Sequence, residues 1–307
     1  MYSVIAFPAL AGMSYPRLEG LGLVRVVASP EEIPALPEAD RADVRVLMTS
    51  ATRGCSGEIA DALPNLGFVV SQGVGQERID LQALSKRKVQ VRCVGEALTD
   101  DVADLAMAFT HMLCRNLVNA DRFARSGEWR KERFVLGDSV VGMTMGIAGL
   151  SGRIGQAIAA RATASRMKLA ALDRQSNAGL GASLHDGWSA LAAASDVLVL
   201  AVPASPGLRH VIGASQLEAL GPKGRLVNVA RGSLVDTDAL IEALENRAIA
   251  GAALDVVEDE PNVPERLAAL PNVILAPHIG AQTWGQRARG AAIAEDAVLS
   301  FLDGSLK

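Results

Sequence analysis

The chain has 307 residues, half of them hydrophobic and 21% charged, which is ordinary for a soluble globular protein and is long enough for two domains. The net charge of −4 gives no electrostatic reason to expect a nucleic acid or an anionic membrane surface as a partner. No basic region precedes the first apolar stretch and no apolar run approaches membrane-spanning length, so we expect no signal peptide and no membrane association. The three cysteines are scattered, which predicts no metal site and favours the cytoplasm.

The first part of the chain alternates short apolar runs with helical patterns, and this alternation predicts a parallel α/β sheet. Strands are predicted at 4–7, 24–27, 44–48, 68–70 and 89–92, and helices at 31–36, 58–63 and 80–86. Gly73 and Gly75 come shortly after the strand at 68–70. Glycines in this position leave bare N–H groups at the carboxyl end of a strand, where open sheets bind ligands.

A long helix is predicted over 96–119, because Asp100 and Asp101 give it an acidic start and neither proline nor glycine interrupts it. Its length suggests that it joins two domains. Residues 121–134 are predicted to form an exposed arm, whose aromatic side chains pack either on a partner subunit or on their own domain.

A second α/β block is predicted over 140–277, and it is followed by an amphipathic helix at 285–302 that should pack back on the first domain. Strands are predicted at 140–148, 168–172, 197–202, 225–229, 251–256 and 273–275, and helices at 156–166, 184–193, 214–220, 236–246 and 264–269. The predicted domains are therefore 1–95 with 285–307, which is discontinuous, and 96–284.

Residues 145–173 run in the order strand, tight turn, helix, strand and carboxylate, which is the pattern of a dinucleotide-binding unit. Gly149, Gly152 and Gly155 lie in the turn, and Asp173 ends the second strand. Glycines let the backbone approach a pyrophosphate, and the N–H groups at the helix start face the anion. A carboxylate after the second strand can accept hydrogen bonds from both ribose hydroxyls. Taken alone, the turn could also be a plain structural loop.

The glycine spacing of this turn departs from the usual first, third and sixth positions. Either one extra residue has entered the turn, or Leu150 has taken the place of the first glycine. We favour an extra residue, because Gly149 is present and Ser151 suits a turn.

Three charged side chains, Arg231, Glu260 and His278, each follow a predicted strand of the second block. Because the strand ends of a doubly wound sheet point to one crevice, we expect all three beside the glycine turn. Arg binds carboxylates in a bidentate way, His donates protons near neutral pH, and a nearby Glu favours and orients the imidazolium. Singly, each has a structural explanation: a packed His278, an Arg231 paired with Asp236, and a solvated acidic run at Glu260. Together they indicate an active site for anionic carbonyl chemistry.

Seven segments together resemble the D-isomer-specific 2-hydroxyacid dehydrogenases. They are GVG at 73–75, LTDDVADLA at 98–106, GLSGRIG at 149–155, VPASPGLRHVI at 202–212, NVARGSLVD at 228–236, ALDVVEDEP at 253–261 and PHIGAQT at 277–283. LTDDVADLA and the RSGEWR segment at 125–130 are most similar to the hydroxypyruvate and glyoxylate reductase branch. The resemblance implies two doubly wound parallel-sheet domains, one of them a Rossmann-type dinucleotide-binding domain, with the active site in the cleft between them. It also implies a homodimer.

The resemblance implies a role for each matching residue. Arg231, Glu260 and His278 match the catalytic set, and the backbone amides of Val74 and Gly75 hold the substrate carboxylate together with Arg231. Trp284 departs from the family pattern, in which an acidic residue is often found here, and it either lines the substrate side or packs where the domains meet. The cofactor-binding positions are Val102, Gly149, Gly152, Arg153, Ile154, Gly155, Asp173, Arg174, Val202, Pro203, Val229, Ala230, Asp255, His278 and Gly280.

The implied activity is that of an NAD(P)-dependent oxidoreductase that transfers a hydride between a nicotinamide and a small 2-oxoacid or D-2-hydroxyacid. Asp173 repels a 2′-phosphate and favours NAD(H), whereas the neighbouring Arg174 leaves NADP(H) possible. A non-catalytic NAD(H)-sensing protein on the same scaffold and a dehydrogenase for a bulkier 2-oxoacid are alternatives. Formate or phosphite oxidation is a further alternative, but formate dehydrogenases of this group carry Gln where Glu260 lies. Gln76, Glu77 and Arg78 depart from the family pattern and leave the substrate selectivity open.

Overall fold

The computed structural model of the chain describes residues 2–7 and 13–306, which divide into two compact units. Unit 1 comprises Met1–Leu98 and Ala281–Lys307, and unit 2 comprises Thr99–Gly280. Each unit contains its own parallel sheet, as the alternation of strands and helices predicts.

Unit 1 is built on a sheet of five parallel strands. The strands are β1 (Val4–Ala6), β2 (Val24–Val26), β3 (Val46–Ser50), β4 (Phe68–Gln72) and β5 (Gln90–Val94). Their order in the sheet is β2-β1-β3-β4-β5. Every residue of β1, β3 and β4 is buried, because helices cover both faces of a parallel sheet, and this is why these strands are mostly apolar in sequence.

Short helices connect the strands of unit 1, and a long helix ends the chain. They are α1 (Pro16–Gly20), α2 (Glu32–Ala35), α3 (Glu38–Ala42), α4 (Gly57–Ala62), α5 (Leu81–Lys86) and α13 (Trp284–Leu302). Side-chain oxygens of Ser56 and Asp80 cap α4 and α5 by accepting backbone N–H groups of the first turn. Phe301 of α13 stacks on Phe68 of β4 with ring centroids 4.9 Å apart, so the last helix packs on this sheet.

The boundaries of the units lie at 98 and 280, whereas the predicted boundaries were at 95 and 284. The difference at the first boundary arises because the 3₁₀ turn Glu96–Leu98 contacts α13, with Arg289 donating to the carbonyl of Ala97 at 3.2 Å. At the second boundary, the N–H of Gly280 donates to the carboxylate of Asp255 at 2.9 Å, which ties this glycine to unit 2.

Unit 2 is built on a sheet of seven parallel strands. These are β6 (Thr144–Ala148), β7 (Lys168–Leu172), β8 (Ser183–His185), β9 (Val197–Leu200), β10 (Arg225–Asn228), β11 (Gly251–Leu254) and β12 (Val273–Leu275). Their order is β12-β11-β10-β9-β6-β7-β8, so the chain builds one half of the sheet outward from β6 and then crosses to build the other half from β9. The order reverses between β6 and β9, and ligands bind doubly wound sheets at the carboxyl ends around such a reversal.

The helices of unit 2 are α6 (Thr99–Cys114), α7 (Leu117–Arg125), α8 (Arg153–Ala164), α9 (Trp188–Ala193), α10 (Ala214–Leu220), α11 (Thr237–Glu245) and α12 (Glu265–Ala268). None of the helices in the described part of the chain has both the length and the apolar content needed to cross a membrane.

The prediction of one uninterrupted helix over 96–119 is wrong. The chain forms a 3₁₀ turn, then α6, and then breaks at Asn116 before α7, and α6 belongs to unit 2 from its first residue. Asn116 has a φ of 48°, a left-handed conformation that asparagine tolerates and that ends a helix. The chain returning at Gly137 also packs on this break, because a Cβ there would lie 2.9 Å from the carbonyl oxygen of Cys114.

The helix predicted over 184–193 also begins later than expected. Ser183–His185 forms the edge strand β8, paired in parallel with β7, and the helix starts only at Trp188. The predicted exposed arm at 121–134 is helical up to Arg125. The rings of Phe123 and Phe134 pack on each other at 5.2 Å within the same unit, and Trp129 is 70% exposed.

Candidate active site

The three charged residues singled out from the sequence follow three adjacent strands of unit 2. Arg231 follows β10, Glu260 follows β11 and His278 follows β12, and these strands are neighbours in the sheet. The imidazole Nδ1 of His278 lies 2.8 Å from Oε2 of Glu260. The imidazole is half exposed, so the pair combines a fixed orientation with access for a ligand.

The loop that carries His278 is held by a buried carboxylate at the end of β11. Asp255 is 3% exposed, and its two carboxylate oxygens accept the N–H groups of Ile279 at 2.7 Å and Gly280 at 2.9 Å. The N–H of His278 also donates to the carbonyl of Asp255, and His278 has a left-handed φ of 54°. Burial raises the pKa of Asp255 above its ordinary value, and the two amide hydrogen bonds oppose this effect only in part.

The Arg231 segment is fixed by a buried amide side chain that the sequence interpretation missed. Asn228 is fully buried; its Nδ2 donates to the carbonyl of Arg231 at 2.9 Å and its Oδ1 accepts the N–H of Ala230 at 3.0 Å. The guanidinium Nη1 of Arg231 donates to the carbonyl of Ala230 at 2.8 Å. A polar residue at the last position of an otherwise apolar strand was the available signal, because a buried amide needs partners and can thereby shape a loop.

The turn between β6 and α8 has the geometry required for close approach of a phosphate. Gly149 has a φ of 97°, and a Cβ there would lie 2.6 Å from the carbonyl oxygen of Ala201; a Cβ at Gly155 would lie 2.1 Å from the carbonyl oxygen of Gly149. Neither position can carry a side chain without displacing backbone. Gly152 is the N-cap of α8, so the N–H groups of the first turn have no partner within the helix.

The extra residue of this turn is held by the loop after β7. The N–H of Ser151 donates to Oδ1 of Asn177 at 3.1 Å, and its hydroxyl lies 3.2 Å from that of Ser176. Gly149 leaves no room for a side chain, as expected of the first glycine of this motif, and Ser151 is bound by the loop after β7. The structure therefore supports an added residue rather than a missing first glycine.

The other residues expected to bind cofactor also lie in unit 2. Asp173, Arg174 and Arg153 are exposed. Asp173 directly follows β7, and its backbone N–H donates to the backbone carbonyl of His185. Val102 of α6 is 5% exposed and lies beside the His278 loop, because a Cβ at Gly280 would be 3.4 Å from its Cγ2. Ile154 is the second residue of α8, in the turn of helix that follows β6. The remaining positions lie in connections at the carboxyl ends of strands: Val202 and Pro203 after β9, and Val229 and Ala230 after β10.

The residues expected to contact substrate from the first domain lie in unit 1. Val74 and Gly75 follow β4, with Val74 40% exposed, and Gly73 before them has a φ of 103°. Trp284 is the first residue of α13 and is 78% exposed.

The model of the D-isomer-specific 2-hydroxyacid dehydrogenase NAD-binding domain matches residues 107–280, more than half of the chain and most of unit 2. The chain belongs to the D-isomer-specific 2-hydroxyacid dehydrogenase family. This result confirms the resemblance on which the sequence interpretation depends.

Named relatives of this dehydrogenase cover most of its length. The chain is 40% identical over 261 residues to glyoxylate/hydroxypyruvate reductase A of Arabidopsis thaliana, covering 85% of this chain and 83% of that protein. It is 39% identical over 258 residues to the 2-ketogluconate reductase of Gluconobacter oxydans, covering 84% of this chain and 83% of that protein. The crystal structure of an NADPH-dependent glyoxylate/hydroxypyruvate reductase from Sinorhizobium meliloti, in complex with NADP and malonate, is 36% identical, covers 98% of this chain and 94% of that one, and has a TM-score of 0.85.

The residues of unit 2 fit the nicotinamide dinucleotide that this family uses. The turn from Gly149 to Gly155 leaves no room for a side chain at two positions, and the amides at the start of α8 suit a pyrophosphate. Asp173 lies after β7, where ribose hydroxyls are bound in this fold. These features of unit 2 fit the pyrophosphate and the ribose of a dinucleotide.

The loops that carry Arg231 and Glu260 touch through backbone, which makes Gly232 a sensitive position. A Cβ at Gly232 would lie 2.0 Å from the carbonyl carbon of Val257. We expect Gly232→Ala to lower the free energy of unfolding by about 1–3 kcal/mol, because overpacking forces the backbone to shift. Thermal unfolding measures the effect. Gly207→Ala is the matched control, since nothing lies within 4 Å of its Cβ position; equal melting temperatures for the two variants would contradict this account.

Proposed function

We propose that this dehydrogenase reduces a small 2-oxoacid of the glyoxylate or hydroxypyruvate type to the D-2-hydroxyacid. The observation that carries the proposal is the contact of 2.8 Å between Glu260 and His278, beside the strand end that bears Arg231. The names of the relatives support the substrate class.

The proposed mechanism assigns binding to Arg231 and proton transfer to His278. Arg231, with the backbone N–H groups of Val74 and Gly75, grips the substrate carboxylate, and Arg231 also polarises the ketone oxygen. A nicotinamide cofactor held by the turn from Gly149 to Gly155 would supply the hydride. Glu260 engages Nδ1 of His278 and orients the ring, so Nε2 is the nitrogen that gives its proton to the developing alkoxide. In the oxidative direction the neutral imidazole takes that proton back.

A panel of 2-oxoacids tests the proposal. Purified protein is mixed with NADH or NADPH and with glyoxylate, hydroxypyruvate, pyruvate or 2-ketogluconate, and the loss of reduced-nicotinamide absorbance is followed. We expect turnover with glyoxylate or hydroxypyruvate. Tight cofactor binding without turnover of any 2-oxoacid would contradict the proposal and favour a non-catalytic NAD(H)-sensing protein.

A bulkier 2-oxoacid is the second candidate substrate. It is supported by the 39% identity to a 2-ketogluconate reductase, which nearly equals the identity to the glyoxylate/hydroxypyruvate reductase. The departure at Gln76, Glu77 and Arg78, next to the glycines after β4, is where we expect such selectivity to originate. The same panel distinguishes the two by kcat/KM for glyoxylate and 2-ketogluconate.

We propose that NADH is preferred over NADPH because Asp173 would face the 2′-phosphate. One solved relative is NADPH-dependent by its name, so the family accommodates both cofactors. Replacing Asp173 by Ser removes the like charge and leaves Arg174 to pair with the phosphate. We expect Asp173→Ser to shift the ratio of NADPH to NADH affinity by at least about tenfold toward NADPH, equivalent to 1.4 kcal/mol. Fluorescence titration measures both dissociation constants, and an unchanged ratio would contradict this role of Asp173.

We further propose a homodimer in the cytoplasm. Val135 and Leu136 are 67% and 99% exposed, and a groove of about 520 Å³ that Leu136 helps to line opens in unit 2. Apolar exposure of this kind suits a second copy of the chain. All three cysteines are free, which fits a reducing compartment. Sedimentation equilibrium tests the dimer: a monomer mass at every concentration would contradict it.

A further inference from the structure

A second histidine lies in the same row of strand connections as the three proposed catalytic residues. His210 is in the connection after β9, and β9, β10, β11 and β12 are adjacent in the sheet. The proposed mechanism gives His210 no task. Its surroundings differ from those of an ordinary surface histidine.

The imidazole of His210 lies between two carboxylates from neighbouring connections. Its Nε2 is 2.8 Å from both carboxylate oxygens of Glu258, and its Nδ1 is 3.9 Å from Oδ2 of Asp236. Nη2 of Arg209 also donates to Oε1 of Glu258 at 2.7 Å. About a quarter of the His210 and Glu258 side chains is exposed, so their contact is partly shielded from water.

The backbone of His210 is fixed as firmly as its ring. Its φ is 54°, a left-handed conformation, and its N–H donates to the carbonyl of Ser233 at 2.8 Å. Ile212 donates to Leu234 and accepts from Asp236, which pairs this connection with the segment that follows Arg231. Residues held in sparsely populated conformations by several contacts cluster at functional sites.

The partner of His210 is two residues before Glu260. The peptide bond between Val257 and Glu258 is packed against Gly232 and leaves no space for a Cβ there, and the N–H of Val257 donates to Oε1 of Glu260 at 3.3 Å. A displacement of Glu258 would therefore move the carboxylate that orients His278. We propose that His210 is a positioning residue, which holds the Glu258–Glu260 segment so that Glu260 meets Nδ1 of His278. This inference rests on the proposed proton transfer from His278.

Two substitutions separate the ring contact from the backbone conformation. His210→Asn keeps a residue that tolerates the left-handed backbone but is too short to reach Glu258, whereas His210→Gln places an amide near the position of Nε2. We expect His210→Asn to lower kcat by about tenfold, as is typical of residues coupled through one hydrogen-bond network, and His210→Gln to restore most of it. The dissociation constant for NADH and the KM for the 2-oxoacid should stay within about twofold in both variants.

A double mutant identifies the route of the effect. In a Glu260→Gln background, His210→Asn should lower kcat little further, because the residue through which His210 acts has already been changed. Additive losses in kcat, an unchanged kcat in His210→Asn, or a parallel loss of NADH affinity would each overturn the proposal. His111→Asn, an exposed histidine of α6, is the matched control.

A measurement without turnover distinguishes failure of this inference from failure of the proposed function. Hydrogen–deuterium exchange of the peptide that spans 255–263 should be faster in His210→Asn than in the unmodified chain and should recover in His210→Gln. Equal exchange in all three proteins would overturn the positioning role, whatever reaction the unmodified chain catalyses. If the unmodified chain reduces no 2-oxoacid, the proposed function fails on its own assay.

Discussion

Replacing His278 by Asn should lower kcat by about 10²–10⁴-fold, which is the range contributed by a positioned general acid. Asparagine suits this position because it tolerates the left-handed φ of 54° and can place its amide near Nδ1, beside Glu260. Asparagine has no atom at the position of Nε2, so the variant removes the proton donor but keeps the backbone conformation of the loop. Steady-state kinetics with glyoxylate and NADH measure the loss.

The cofactor site should be unaffected by this substitution. Fluorescence titration should give a dissociation constant for NADH within about twofold of the unmodified chain, since the turn at Gly149–Gly155 is unchanged. His111→Asn again controls for removal of a histidine. Near-normal turnover by His278→Asn would remove the proton-transfer role from the mechanism.

Replacing Arg231 by Gln should lower kcat/KM for glyoxylate by about 10²–10³-fold, the cost of losing a donor that stabilises developing negative charge. Gln is close to Arg in its first three side-chain carbons but carries no charge. Arg231→Lys should recover only part of the loss, because an ammonium keeps the charge without the two parallel N–H groups of the guanidinium.

The substrate dependence separates binding from structure in these variants. An uncharged aldehyde such as glycolaldehyde has no carboxylate to bind, so the penalty of Arg231→Gln should be smaller with it than with glyoxylate. Arg266→Ala, which removes an exposed guanidinium that pairs with Glu245 on α11, is a control for loss of positive charge. Equal penalties for glyoxylate and glycolaldehyde would contradict the role of Arg231 in gripping the carboxylate.

The sequence predicted most elements of the fold because the signals are local. Buried parallel strands such as β9 are continuous apolar runs, and β7 has its predicted bounds. The predicted secondary structure was wrong at positions where tertiary contacts determine the local conformation. The break at Asn116 depends on a left-handed backbone and on the return of the chain at Gly137, neither of which alters the apolar period. Strand β8 is exposed at the sheet edge and is fixed by pairing with β7.

The sequence predicted the charged residues of the candidate site, but not the residues that hold them in place. Glu260 and His278 were expected together because parallel strand ends meet at one edge, and the contact of 2.8 Å agrees with that expectation. Asn228 and His210 were missed because their partners are backbone groups or side chains from other connections, and spacing along the chain does not reveal them. The sequence favoured an extra residue in the glycine turn, and the hydrogen bond from Ser151 to Asn177 shows how the turn accommodates it.

A crystal structure of the chain with NADH and oxamate, a 2-oxoacid analogue that resists reduction, tests the central claim most directly. The account predicts that the oxamate carboxylate contacts the Arg231 guanidinium and the N–H groups of Val74 and Gly75. The adjacent carbonyl oxygen should then lie within hydrogen-bond distance of Nε2 of His278, whose Nδ1 remains on Glu260. Oxamate bound elsewhere, or an imidazole whose Nε2 faces away from the carbonyl oxygen, would contradict the account.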